Sequence, residues 1–361
     1  MESMDLTIHR LPDSNFWKGK KVLVTGHTGF KGSWLVIWLH SMGAIVSGLS
    51  LQARGLNNLF DQAAVEGLCT NYYTDIRHIR DLQGVIKTTK PEVIFHLAAQ
   101  PLVIEGYENP LETFEINVMG TANVLEAAKF CASTTLVIVV TTDKVYAGSG
   151  QRALMKEGDR LAATDPYSAS KACAELITDS FRYTNSVADL TVATVRAGNV
   201  IGGGDWAENR LVPDAIRSWM SDSPLIIRNP HSIRPWQHVL EPLNGYMCLA
   251  ELLFSAPDLA GAFNFGPFPG DELSVIDVLS VLSKELAHDF YIDQSHTSWY
   301  RESDWLGLDI DKASATIGYN ARWTAETAIK MTAQWYLQYA GRHSALSLCH
   351  EDIRAYSKER I

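Results

Sequence analysis

Short runs of consecutive apolar residues recur through the first 200 positions of the chain. Lys21–Thr25 (KVLVT), Ile45–Leu49, Val93–Leu97 (VIFHL), Leu136–Thr142 and Leu190–Val195 lack the strict alternation of a half-exposed strand. Continuous apolar runs suit parallel strands that are covered on both faces. Between them, Ser33–Met42, Pro110–Phe130 and Asp165–Tyr183 carry apolar residues at helical spacing. Alternating strands and helices predict an α/β fold, a doubly wound parallel sheet. After about Gly198 the pattern changes. Gly202-Gly203-Gly204, Pro213, Pro230 and Pro235 punctuate shorter elements, and Ala262–Phe265 stands as an isolated strand-like run. The expected layout is a Rossmann domain over residues 1–197 and about 238–267. A smaller, interleaved α/β lobe takes residues 198–237 and 268–361.

Composition narrows the function classes. The chain is 46% hydrophobic and 20% charged, enough apolar surface to offset chain entropy. Its 31 Lys+Arg against 41 Asp+Glu leave a net charge of -10. That balance opposes a nucleic-acid or anionic-membrane partner, since both need a basic face. No apolar run approaches the roughly 20 residues that span a bilayer. Met1–Lys20 is polar and mixed in charge, with no signal-peptide core, so a cytoplasmic location is expected. Cys69, Cys131, Cys173, Cys248 and Cys349 are scattered and not in CxxC spacing. Free thiols and no metal site are the expectation. The segment from about His343 to Ile361 has no evident role.

Three local patterns carry chemistry. Thr25-Gly26-His27-Thr28-Gly29-Phe30-Lys31-Gly32 ends the first strand and opens the first helix with GxxGxxG spacing. Glycines there permit a tight turn and close approach to a pyrophosphate. The helix N-terminus adds N–H groups and the positive end of its dipole. Gly26, Thr28, Gly29, Phe30, Lys31 and Gly32 are therefore candidate cofactor residues. Asp75-Ile76 follows a third apolar segment, where an acid can accept from adenine N6. Leu97-Ala98-Ala99-Gln100 ends the fourth strand, where small residues let a dinucleotide lie against the backbone. The end of the second strand, Leu49-Ser50-Leu51-Gln52-Ala53-Arg54, lacks the acid that usually marks NAD. Arg54 can meet a 2′-phosphate, so this position alone leaves NAD and NADP open.

The second pattern is Tyr167-Ser168-Ala169-Ser170-Lys171. Residues four apart share a helix face, so phenol and ammonium can point into one site. The lysine charge is expected to lower the phenol pKa and make Tyr167 a usable base. Such a spacing arises often by chance. Its place after the Thr141-Thr142-Asp143 strand end, where the ligand crevice of such sheets forms, favours chemistry. Thr142 can bind the same hydroxyl that Tyr167 deprotonates.

The third pattern reverses the global charge. Asn209–His238 holds Arg210, Arg217, Arg228 and Arg234 against Asp214 and Asp222. Guanidinium forks suit a diphosphate. Trp206 and Trp236 fit stacking on a base or packing in a core equally well.

Longer strings tie these patterns together. They are Phe16–Lys20 (FWKGK), TGHTGFKGSW from Thr25, HLAAQPLV from His96, NVMGT from Asn117, TTDK ending at Lys144, and DPYSASK from Asp165. RAGNVIGGGDW from Arg196 and RNPHSIRPWQHVLEPL from Arg228 are the most distinctive. Together they resemble the extended short-chain dehydrogenase/reductase superfamily and, within it, the branch of CDP-glucose 4,6-dehydratases. The resemblance runs from about Phe16 to Gly266.

That resemblance implies NAD as cofactor and CDP-glucose as substrate. It implies oxidation at C4, loss of water across C5 and C6, and hydride return to C6, feeding dideoxysugar synthesis. Tyr167 and Lys171 would serve the oxidation. Asp143 is the candidate acid for the departing 6-hydroxyl. Lys144 takes the base position, where it either accepts the C5 proton in a neutral form or stabilises the enolate electrostatically. Asn199, Arg210, Arg228, Arg234 and His238 fall on substrate-binding positions, with Arg234 at the diphosphate and Arg210 near base or ribose. A homodimer or homotetramer built on the Pro110–Phe130 and Asp165–Tyr183 helices is also implied. Where the branch commonly carries Cys-Tyr-Asp-Asn after the lysine, this chain has Val145-Tyr146-Ala147-Gly148-Ser149. Another nucleotide-sugar dehydratase, epimerase or reductase would share Tyr167 and Lys171. A non-catalytic dinucleotide sensor would tend to lose them.

Overall fold

The computed structural model describes residues 10–53, 55, 57–147, 152–184, 190–227, 229–293 and 305–358. Its centre is one parallel sheet of seven strands: β1 (Lys21–Thr25), β2 (Ile45–Ser50), β3 (Thr70–Tyr73), β4 (Val93–His96), β5 (Leu136–Val140), β6 (Thr191–Ala197) and β7 (Ala262–Phe265). They lie in the order β7-β6-β5-β4-β1-β2-β3. The chain moves outward from β1 to β3 and then returns to the other side of β1 at β4. Thr25 pairs with Leu49 on one side and His96 on the other. The strand order reverses there, and such a switch point opens a ligand crevice at the carboxyl ends of the strands.

The continuous runs are explained by two cores. Val22 and Val24 of β1 enter one, which includes Trp34, Val195, Leu249, Tyr336 and Cys349. Leu23 enters the other, with Leu49, Ile94, Val137 and Val192. The apolar segment expected before Asp75 is instead the polar strand TNYY, partly exposed at the sheet edge. Ala262–Phe265 is not isolated: it pairs with β6 as the opposite edge. Leu97, Thr141 and Thr142 lie just beyond their strands, because apolar continuity does not mark where the backbone leaves the ladder.

Helix Phe30–Ser41 is buried from Gly32 to Leu39, on nearly every side. Its outer cover includes the C-terminal helix Ala345–Ser357, which buries Leu348, Cys349, Ile353 and Tyr356. The segment without an evident role is thus a structural lid on the first helix. Tyr356 Oη donates to Glu241 Oε2 at 2.8 Å, and the backbone N–H groups of Arg322 and Trp323 donate to Glu241 Oε1.

The expected helix Pro110–Phe130 is interrupted. Pro110–Phe114 and Gly120–Lys129 flank a π-turn at Glu115–Met119. The widened turn turns Asn117 inward, as π-turns often do at functional sites. Beyond Gly198 the chain forms two-residue strand pairs, Val200–Ile201 with Gln237–His238 and Ile233–Arg234 with Leu273–Ser274. All five cysteines are free. Among the described residues no helix is long and apolar enough to cross a membrane, and no cluster of His, Cys, Asp or Glu has metal-site geometry.

Candidate active site

The glycine turn is set by distances that leave no space. A Cβ on Gly26 would stand 2.7 Å from Ala98 N, and Gly26 has a φ of +77°. A Cβ on Gly32 would stand 2.1 Å from Gly26 O. The first positions therefore press β1 onto the end of β4, and the last presses the helix onto the turn. Gly29 is the N-cap and provides no side-chain cap, so the first-turn N–H groups face outward for an anion. Thr28 Oγ1 bonds Ser50 Oγ at 2.9 Å and Leu51 O at 3.0 Å, which fixes the end of β2. Phe30 begins the helix and packs against the core. Lys31 lies half-buried in its first turn. Burial, with the charges of Arg210 and Lys171, brings its pKa down to about 7 against the pull of Asp143. Lys31 thus belongs electrostatically to the catalytic groups as well as to the turn.

Around β4 the chain is tied to the catalytic helix. Asn117 Oδ1 accepts from Gln100 N, and Asn117 Nδ2 donates to Gln100 O and to Ser170 Oγ. Leu97, Ala98 and Ala99 line the gap between that tie and the glycine turn, and Ala98 N donates to Thr25 Oγ1. Asp75 is paired with a neighbour. Its carboxylate already accepts from Arg77 Nε and Nη2 at 2.7–3.1 Å. Burial raises its pKa, but Arg77 outweighs that and holds it below the usual value. Ile76 is buried against Gly120. Arg54 and Arg228 lie outside the described residues.

Tyr167 and Lys171 share the buried face of helix Pro166–Thr184. The expected lowering of the phenol pKa does not occur. Burial pushes Tyr167 up to about 12, opposed by Arg210 and by a hydrogen bond with Thr142 and reinforced by Asp143. Lys171 Nζ donates to Val140 O at 3.0 Å. Burial lowers its pKa to about 8, against the pull of Glu175. Desolvation of the phenolate outweighs a cation that is held on a backbone carbonyl.

Thr142, Asp143 and Lys144 form a single short turn, Asp143–Val145, capped by Thr142. Asp143 is 2% exposed. Its Oδ1 accepts from Thr142 Oγ1 at 3.0 Å, and its Oδ2 is buried without a hydrogen bond. Burial raises the carboxyl pKa against the opposing pull of Lys144, Thr142 and Arg234. A carboxyl biased toward its protonated form is what a general acid requires.

Two residues beyond the YxxxK spacing complete this neighbourhood. Glu175 follows Lys171 by four positions on the same helix face, so the signal was visible in the sequence. Its carboxylate accepts from Arg196 Nε and Nη2 at 2.9 Å each, from Thr194 Oγ1 at 2.6 Å, and from Thr141 Oγ1. Both side chains are nearly fully buried. Losing one partner of such a pair costs about 3–5 kcal/mol. Burial would lower the Arg196 pKa, but Glu175 and Tyr146 outweigh it and hold the guanidinium charged.

The expected substrate residues divide. Arg210 caps helix Leu211–Ser221, donates to Asp205 Oδ2 at 3.1 Å, and lies near enough to Tyr167 and Lys31 to lower both pKa values. Arg234 is buried on the strand beside Pro235, and its charge favours ionised Asp143. Asn199 accepts from Gln237 N through its carbonyl, at the rim of the same region. His238 sits deeper than the other expected substrate residues that are described. It is fully buried between Trp34 and Trp323, with ring centroids at 5.8 and 4.9 Å. Its Nε2 faces Asp352 of the C-terminal helix at 3.8 Å. The ring is enclosed by the two tryptophans. Arg217 is engaged by Asp214 and by the carbonyls of Trp206 and Ala207. Trp236 is buried and donates to Leu273 O. Trp206 is held by Gln62 and packs on Tyr336.

The model of the GDP-mannose 4,6 dehydratase family matches residues 23–251, from the first strand through the helix after His238. The chain belongs to this dehydratase family. Among curated relatives, a CDP-glucose 4,6-dehydratase of Salmonella typhimurium is 40% identical, over 95% of this chain and 98% of its own. A probable dTDP-glucose 4,6-dehydratase of Sinorhizobium fredii is 28% identical over 88% of this chain and 93% of its own. Solved structures share the fold. MoeE5 in complex with UDP-glucose and NAD has a TM-score of 0.77 at 24% identity, covering 89% of this chain and 99% of that one. DesIV, a dTDP-glucose 4,6-dehydratase from Streptomyces venezuelae with NAD and TYD bound, has a TM-score of 0.77 at 24% identity, covering 90% and 99%.

Proposed function

We propose that this chain is an NAD-dependent CDP-glucose 4,6-dehydratase, a hydro-lyase that converts CDP-D-glucose to CDP-4-keto-6-deoxy-D-glucose. One observation carries the reading: a buried carboxyl, Asp143, biased toward its protonated form, stands in one turn with Thr142 and Lys144 against the Tyr167–Lys171 face. An epimerase or a simple reductase needs the phenol but not that acid. The 40% identity to the Salmonella protein of that name, along nearly the whole chain, supports the same substrate.

The glycine turn, the uncapped helix end and the Leu97–Gln100 segment fit a dinucleotide. NAD held there would supply reversible hydride exchange with the sugar, at C4 for the oxidation and at C6 for the return. Tyr167 removes the 4-hydroxyl proton, with Thr142 holding the same oxygen. Because burial raises its own pKa, it depends on the opposing charge of Arg210 and the hydrogen bond with Thr142 to act as a base. Asp143 protonates the departing 6-hydroxyl. Lys144 meets the C5 proton or the enolate that its loss leaves. Arg234 takes the diphosphate, Arg210 lies toward the base or ribose, and Asn199 holds the sugar. The Rossmann part spans residues 1–197 and about 238–267, and the nucleotide-sugar lobe residues 198–237 and 268–361. Exposed Leu111, Met119 and Leu176 on the two central helices support a homodimer, or a tetramer of such pairs.

The test is to incubate the protein with NAD and CDP-glucose and follow sugar mass and cofactor redox state together. Loss of one water with no net NADH is expected. Unchanged mass with inverted stereochemistry would replace this reading with an epimerase.

A further inference from the structure

We infer that the buried Glu175–Arg196 pair clamps the Thr142-Asp143-Lys144 turn at both flanks, making Glu175, Arg196 and Tyr146 positioning residues for the elimination step. The inference rests on the dehydratase reading for its consequence, and on hydrogen bonds for its geometry. Thr141, just before the turn, donates its hydroxyl to Glu175 Oε1. Tyr146, just after it, accepts from Arg196 Nη1 at 2.7 Å and donates to Asn264 Oδ1 of β7 at 2.7 Å. Four residues, Thr142 to Val145, are thus strung between two ends of one ion pair.

The turn is also anchored by backbone bonds, Thr141 N to Val195 O at 2.8 Å and Ala162 N to Val145 O at 3.2 Å, and by Val145 packed with Ala172 and Leu308. Its own backbone closure, Val145 N to Thr142 O, is 3.4 Å long. Arg196 Nη1 also donates to Glu157 O, and Glu157 Oε1 accepts from Asn264 N. The clamp therefore reaches the segment that follows the altered loop. Glu175 lies one helical turn past Lys171 and two past Tyr167. The helix that carries the oxidising groups is in this way registered against the turn that carries the acid. Apolar packing could stabilise the site equally well, but it could not orient three hydroxyls.

Tyr146→Phe and Thr141→Val each free one flank and leave the ion pair, Tyr167 and Lys171 in place. Thermal midpoints serve as the folding control. Hydrogen exchange of residues 142–146 should quicken by about tenfold or more, with helix Pro166–Thr184 unchanged. In single turnovers of Tyr146→Phe with NAD and CDP-glucose, NADH formation should stay within about threefold of the parent while dehydrated product slows by about tenfold or more, so that NADH accumulates; Thr141→Val, on the flank that carries Thr142, should slow both steps. Unchanged exchange in either variant, or equal loss of both steps in Tyr146→Phe, overturns the clamp. A parent that leaves CDP-glucose untouched counts against the dehydratase reading alone, and the exchange measurement then decides the clamp.

Discussion

Two turns at the carboxyl ends of the sheet are held in opposite ways. The Gly26–Gly32 turn is held by absent side chains: Gly26 and Gly32 let backbone meet backbone at distances that no Cβ survives. The Thr142–Lys144 turn is held by side chains from elsewhere in the chain, Glu175 and Arg196 through Thr141 and Tyr146. The first has all its glycines within seven residues and needs from elsewhere only the backbone of Leu97 and Ala98. The second is assembled from a strand end, a helix and a neighbouring strand. A binding surface for phosphates needs little more than exposed N–H groups. An acid that must stay protonated needs burial, and burial is a property of the whole fold.

Two substitutions set the turns against each other. Asp143→Asn keeps the acceptor for Thr142 Oγ1 and removes the proton that Asp143 would donate. Water loss should fall by about 10²–10⁴, while NADH forms on the enzyme and stays there. Absorbance at the NADH maximum, read beside product mass, separates the steps; normal elimination in this variant would remove Asp143 from its role. Gly32→Ala should act on the other turn alone. Its Cβ must displace the Gly26 carbonyl, with a stability loss of about 1–3 kcal/mol and a fall in NAD affinity of about a hundredfold. Calorimetric titration with NAD checks the second number. Parent-like affinity would mean that the glycine is needed for packing and not for the cofactor.

The contrast also explains what could be read from the sequence. The β1, β4, β5 and β6 strands were legible because their residues are buried on both faces and so form unbroken runs. The strand TNYY was not, because a sheet edge places no such demand on its residues. Tyr167 and Lys171 were legible from spacing, whereas the direction of the phenol pKa was not, since spacing reports neighbours and not solvent. The Glu175 partner was one helical turn away and could have been found; Arg196 and Thr194 could not, because strand pairing alone brings them there. With His238, burial is what the string did not report. The residue sits in the string that most strongly suggests the substrate site, yet its neighbours on β-pair and helix turn it into the core.

That core position gives His238 a pH signature. Burial between Trp34 and Trp323 lowers its pKa from 6.5 to about 3. The unfolded chain therefore binds a proton below pH 6.5 that the folded chain refuses. Stability from this residue is complete above pH 6.5 and falls as pH drops toward 3. Asp352, which faces it, is buried with its pKa raised, so its own contribution runs the other way. Removing only the histidine separates the two. His238→Phe keeps an aromatic ring against the tryptophans and cannot titrate. Relative to the parent it should gain about 2 kcal/mol between pH 7.5 and pH 5, read as a difference in denaturant unfolding at the two pH values. A flat difference would mean that His238 takes up a proton in the folded state and pairs with Asp352. The Michaelis constant for the nucleotide sugar should not move in either case, because the ring touches only the core.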